Sequence, residues 1–151
     1  MAAHPEARAL RDSLRRLIVA HGALDEARRP CGTPLPAPHA WALLELLAEG
    51  PMTVTALAER LNIDRTNVSR LCARMESADE IERVVHPDDA RARLVRLTRH
   101  GATLARRVDR SSAAHFERLL ERLEADGGEL VAALDSLARA MAGGDTSTES
   151  S

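Results

Sequence analysis

The chain has 151 residues, 44% of them hydrophobic, and a formal net charge of −2, a length that suits one domain able to bury a core without disulfide or metal staples. Aromatic residues make up only 1%, namely Trp41 and Phe116 with no tyrosine, so the core must be Leu, Val and Ala, a helix-favouring set. Folds that stack bases on surface aromatics are disfavoured. Cys31 and Cys72 have neither metal-ligand spacing nor a disulfide framework, and no cofactor is expected. No apolar run is long enough for a signal peptide or a membrane span, so a cytoplasmic location is expected.

Residues 1–5 are expected to fray. From Glu6 to about Arg29, Leu10, Leu14, Leu17, Ile18, His21 and Leu24 recur at three and four, which predicts an amphipathic helix with Arg8, Arg11, Arg15 and Arg16 toward its outer faces, ended by Pro30. Cys31 to Pro38, with three prolines, reads as a stiff connector. A second helix opens at Pro38 or His39. It carries Trp41, Leu43, Leu44, Leu46 and Leu47 nearly all round, which predicts burial between other helices, and Gly50-Pro51 stops it.

Thr53 is a candidate N-cap for a third helix whose apolar face is Ala56, Leu57, Ala58 and Leu61. Asn62 tolerates the left-handed conformation needed to turn the chain. Asp64 caps a fourth helix, where Val68, Leu71, Cys72 and Met75 bury one side and Arg65, Thr66, Asn67, Ser69, Arg70 and Arg74 occupy the other. Short hydrogen-bonding side chains with arginines behind them suit a helix entering a DNA major groove, since arginine pairs two-pronged with guanine and asparagine with adenine. A merely solvated helix face is the alternative.

Ile81 to His86 and Arg93 to Thr98 read as two short strands. The hairpin between them, Pro87-Asp88-Asp89-Ala90-Arg91-Ala92, is too charged to bury and projects as a wing. An arginine at such a tip suits a minor groove, where narrow A·T tracts concentrate negative potential. Asp89, two residues before Arg91, is placed to hold its guanidinium. Thr98 caps a long helix from Arg99 to about Glu124, with Leu104, Val108, His115, Leu119 and Leu123 as a stripe joined by Phe116 and Leu120. Gly127-Gly128 breaks it, and a last helix from Glu129 to Met141 precedes a tail, residues 143–151, expected to be disordered.

The negative net charge at first argues against a nucleic-acid partner, but distribution matters more than the sum. Between Thr53 and Arg99, nine arginines face eight carboxylates. The acids cluster at Glu76 to Glu82 and at Asp88-Asp89, while Arg65 to Met75 holds three arginines and no acid. Salt-dependent binding with weak non-specific affinity is expected. No phosphate loop or nucleophile arrangement is present, so no enzyme is read. His86-Pro87-Asp88-Asp89 reads as a turn with solvent-facing charges rather than a metal site. Cys31 beside Arg28 and Arg29 raises an oxidant-sensing alternative, against an inert connector thiol; Cys72 reads as core.

The stretches LAERLNIDRTNVSRLCARME, IERV and DDARARLVRLTRHG together resemble the MarR family, the bacterial multiple-antibiotic-resistance-type regulators, over about residues 8 to 142. The wing pattern Asp-x-Arg followed by Val-x-Leu-Thr is the more specific part. The resemblance implies a mainly α fold with a small β-wing: a winged helix-turn-helix over residues 39–98, with dimerisation helices at 6–30 and 99–142, in a single domain spanning 6–142. It gives Asp89 and Arg91 the family's wing roles and Arg65 to Arg70 its recognition-helix roles. Two departures stand out. Asp79-Glu80 replaces the family's usual Gly-Leu, which is expected to weaken local packing, and Ala90 stands where a second wing arginine is common. The expected function is a homodimeric transcription regulator, a repressor, binding double-stranded DNA at a pseudo-palindrome. The family's habit of binding phenolic or aromatic acids implies a small effector, with His21 and Trp41 as tentative pocket residues and Arg16 or Arg28 as its carboxylate partner. A helix-packing role for His21 and Trp41 is the alternative, and a winged protein-interaction module is the rival for the whole chain.

Overall fold

Along the computed structural model, which describes residues 5–25 and 32–144, the elements run α1 (Pro5–His21), α2 (Ala37–Glu49), α3 (Val54–Leu61), α4 (Arg65–Ser77), β1 (Ile81–Val85), β2 (Arg93–Leu97), α5 (Arg99–Glu121) and α6 (Gly127–Gly144). The expected order of helices and wing is present. The strands are each one residue shorter than expected.

Helix α1 stops well short of Arg29. Gly22 takes φ 81°, its N–H donates to the carbonyls of Ile18 and Val19, and Ala23 N–H reaches Ile18 O at 3.3 Å. These bonds close the last turn, and a glycine adopts the left-handed geometry without a side-chain clash. Pro30 was expected to end the helix and Cys31 to Pro38 to form a stiff connector. Residues 26–31, with Arg28, Pro30 and Cys31, lie outside the described residues, so the readings attached to them do too.

Two compact units divide within α5, one up to Ala114 and one from His115 on. The first holds a core made by α2, α3, α4, the sheet and the start of α5, where Leu43, Leu57, Val68, Met75, Ile81 and Val95 are all at most 1% exposed. β1 and β2 pair antiparallel with Ile81 opposite Leu97 and Val85 opposite Arg93. Met52 adds a bridge to Val95, exchanging backbone bonds of 3.1 and 2.8 Å. The chain between α2 and α3 is thereby tied to the sheet. Helix α2 is less enclosed than its composition suggests: Ala40, Ala42, Leu43 and Leu46 are buried, but Trp41 is 42% exposed.

In the second unit the glycine pair opens a helix instead of breaking one. The interruption falls at residues 122–126, and Asp126 Oδ1 accepts from Glu129 N–H at 2.9 Å, capping α6 from just before Gly127. A capped first turn tolerates glycine because the aspartate supplies the nucleation that glycine itself resists. His115 and Phe116 meet edge to face with centroids 5.3 Å apart.

Candidate nucleic-acid interface

Three local devices set the turn between α3 and α4. Thr53 Oγ1 accepts from Ala56 N–H at 3.1 Å, starting α3. Asn62 ends it at φ 50° and ψ 46°, the left-handed conformation its sequence allows. Asp64 Oδ1 then accepts from the N–H groups of Thr66 and Asn67 at 2.9 and 3.2 Å, starting α4. The inner face of α4 is closed by Val68, Leu71, Cys72 and Met75. Arg65, Thr66, Asn67, Ser69, Arg70 and Arg74 are all exposed on its outer face. Burial pushes the Cys72 thiol up, with the Arg83 charge opposing weakly, so this sulfur is held away from its reactive thiolate form. A hollow of about 390 Å³ lies against α4, lined by Pro38, Ile63, Asn67, Arg70, Leu71 and Arg74 among others.

The nine arginines between Thr53 and Arg99 sort into three groups. Arg60 is bound to Glu45 and Glu49 at 2.5 and 3.2 Å, Arg83 to Glu76 at 3.3 Å and Arg96 to Glu82 at 2.7 Å. Arg93 donates to backbone carbonyls. The remaining five, Arg65, Arg70, Arg74, Arg91 and Arg99, have no carboxylate within ion-pair distance among the described residues. Of the eight acids in this stretch, Glu76 and Glu82 are taken by Arg83 and Arg96 and Glu80 by His39, and none lies within ion-pair distance of Arg65, Arg70 or Arg74. The outer face of α4 keeps its positive charge, available for a polyanion, whereas at the wing tip Arg91 stands beside Asp88 and Asp89.

The tip, residues 86–92, is held by its own hydrogen bonds. His86 N–H donates to Ala92 O at 3.2 Å and Ala92 N–H to Asp89 O at 3.0 Å. Asp88 N–H donates to His86 Nδ1 at 3.0 Å, which gives that imidazole a structural task within the turn. Asp89 Oδ1 accepts from Arg91 at 3.0 Å, but from its backbone N–H. The expected grip on the guanidinium is replaced by a grip on the peptide. Arg91 is exposed.

At the base of the wing, Asp79 takes φ 58°, the turn geometry its side chain tolerates. Glu80 is 6% exposed, and its Oε2 lies 2.6 Å from His39 Nε2 on α2. The position expected to leave packing weak is thus occupied and paired, because a histidine 41 residues earlier meets the buried carboxylate. Thr98 completes the junction: its N–H donates to Glu80 O at 3.0 Å, its hydroxyl donates to Asp79 O at 2.5 Å and accepts from Gly101 N–H at 3.0 Å. Sequence reasoning found the Thr98 cap but missed His39, Glu80 and Arg93 as parts of this region. The one legible signal was an acid in a leucine's place.

The two candidate pocket residues are not brought together by any hydrogen bond or ring contact among the described residues. His21 is half-buried at the end of α1 and Trp41 is exposed on α2.

A model of the MarR family matches residues 33–92, the span from the approach to α2 through the wing tip. No curated protein matches the sequence. Among solved structures, the chain is similar to RV1404 from Mycobacterium tuberculosis, at 27% identity and TM-score 0.67, covering 93% of this chain and 97% of that one. It is similar to the PcaV transcriptional regulator from Streptomyces coelicolor, solved with its natural ligand, at 26% identity and TM-score 0.67, with coverage of 93% and 97%. The transcriptional regulator BldR from Sulfolobus solfataricus shares the fold at TM-score 0.75 and 16% identity, with coverage of 92% and 99%.

Proposed function

Since this chain belongs to the MarR family of winged helix-turn-helix, DNA-binding transcriptional regulators, we propose that it acts as a homodimeric repressor on a pseudo-palindromic operator. The observation that carries this reading is the outer face of α4, where hydroxyl, amide and guanidinium groups stand exposed and its three arginines have no carboxylate partner among the described residues. Thr66, Asn67, Ser69 and Arg70 take the base edges of the major groove, and Arg65 and Arg74 take phosphates. Arg91 takes the adjacent minor groove, and Asp89 shapes the tip that carries it.

One wing unit reads one half-site, so two copies are needed to place two reading helices about 34 Å apart, one turn of the duplex. The exposed apolar residues of α1 and α6, among them Leu10, Leu17, Leu134 and Met141, support pairing between copies. A small aromatic or phenolic effector would act by favouring dimers whose reading helices are wrongly spaced. His21 and Trp41 are its proposed neighbours, and the similar PcaV regulator, solved with its natural ligand, supports a ligand-responsive reading. Such a regulator works in the cytoplasm, where the chromosome is.

Selection of bound duplexes from a random pool tests the reading. The wild-type chain should enrich an inverted repeat, and no enrichment would return the chain to the protein-interaction reading. Transcription from a promoter overlapping the enriched site should fall when the protein is added. Arg91→Ala should weaken binding to the enriched duplex about tenfold while leaving the dimer intact. Unchanged affinity at physiological salt would remove the wing from the mechanism.

A further inference from the structure

We propose that Arg93 is the positioning residue for Arg91, an inference that rests on the wing's reading of DNA given above. The two arginines sit two residues apart on the same hairpin and are used in opposite ways. Arg93 Nη1 donates to Ala90 O at 3.1 Å and to Ala92 O at 3.2 Å, so its guanidinium lies back against the tip. Arg91 has no hydrogen-bond or ion-pair partner for its side chain among the described residues.

The acceptor on Ala90 matters because that carbonyl belongs to the peptide linking Ala90 to Arg91. The N–H of the same peptide donates to Asp89 Oδ1 at 3.0 Å. One peptide plane is therefore held at both ends, its oxygen by Arg93 and its N–H by Asp89, and this plane sets the direction in which Arg91 leaves the backbone. The other acceptor, Ala92 O, also receives His86 N–H at 3.2 Å, so Arg93 ties the tip to the last rung of the strands. A guanidinium suits this task because one Nη carries two N–H donors, so a single nitrogen of a permanently charged group reaches both carbonyls. Preorganisation of this kind improves binding by removing the freedom that the tip would otherwise lose on the duplex.

The test is a double-mutant cycle on the duplex enriched by the wild-type chain, with Arg91→Ala, Arg93→Met and both together. Arg93→Met alone should weaken binding about tenfold, and in the Arg91→Ala background it should add almost nothing, because there is no longer a side chain to aim. Arg93→Gln, which keeps an NH2 donor group on a shorter, uncharged side chain, should fall between wild type and Arg93→Met. Losses that multiply in the double variant would assign Arg93 its own phosphate contact and overturn the proposal, as would wild-type affinity of Arg93→Met. If Arg91→Ala alone binds as the wild type does, the wing reading itself fails and this inference falls with it. Circular dichroism of each variant, expected to match wild type because residue 93 is exposed, separates loss of aim from loss of fold.

Discussion

In α4, Val68, Leu71, Cys72 and Met75 are all at 5% exposure or less, whereas in α6 Val131, Leu134 and Met141 stand at 55%, 42% and 56%. Both helices repeat apolar residues at spacings of three and four. The difference lies in what covers the stripe. Helix α4 is packed by α2, α3 and the sheet within its own unit, and its polar side is left to face solvent. Helix α6, like α1, has no buried residue among those described. An amphipathic helix with an open apolar face gains most of its stability from whatever buries that face. The winged part is thus complete within one chain, whereas the terminal helices keep open apolar faces, the surface proposed above for a second copy.

The comparison can be broken most forcefully at Met75, which is fully buried on α4. Met75→Ala should cost about 2–5 kcal/mol of folding free energy through lost transfer energy and the cavity left behind. Denaturant unfolding would measure it. A cost far below this range would mean that the α4 core is not packed as described. The counterpart on α6 is Leu134→Asp. If α6 pairs with a second copy, this change should weaken self-association by about 1.5–3 kcal/mol while leaving the winged core intact, with sedimentation velocity showing a shift toward monomer. A variant that sediments as the wild type does would show that the open face of α6 is not the pairing surface.

Glu80 sharpens the same contrast, because it is a charged residue on the closed side of the molecule. Glu80→Ala removes the partner of His39 and leaves that imidazole facing a void, which should cost about 1–3 kcal/mol in unfolding experiments. It should also lower DNA affinity, since residues 79 and 80 join α4 to the wing. Unchanged stability would mean that the 2.6 Å contact contributes nothing.

What could be read from the sequence was local. Thr53, Asp64 and Thr98 as caps, Asn62 as a left-handed turn residue, and the buried face of α4 each depend on neighbours within four positions. The missed features depend on partners that spacing does not reveal. His39 and Glu80 are 41 residues apart, and nothing near either one announces the other. Arg93 looked like one more positive charge, because a bond from a guanidinium to a nearby carbonyl leaves no periodicity. Gly22 was passed over and Gly127 misjudged for a different reason: the same residue type ends one helix and opens another, and the neighbouring hydrogen bonds decide which. The outer face of α4 was legible as a list of exposed side chains. So was its excess of arginine; which of the other arginines are neutralised was not, because that needed the positions of Glu45, Glu49, Glu76 and Glu82.

The smallest expected effect comes from a matched pair of caps. Asp64 starts α4 and Asp126 starts α6, each through a carboxylate oxygen 2.9 Å from a backbone N–H. Replacing either by alanine should cost about 1 kcal/mol of stability, the usual value of an N-cap. Their effects on DNA should nevertheless differ. Asp64 fixes the first turn of α4, where Arg65, Thr66 and Asn67 lie, and fraying of that turn would misplace the side chains proposed to meet the bases. Asp126 fixes a turn that carries none of them. Asp64→Ala should therefore lose affinity for the enriched duplex beyond what its stability change accounts for, and Asp126→Ala should bind as the wild type at concentrations where the dimer is formed. Equal losses for the two variants would mean that helix α4 reads no bases through its first turn, and that the contrast between the two helices concerns stability alone.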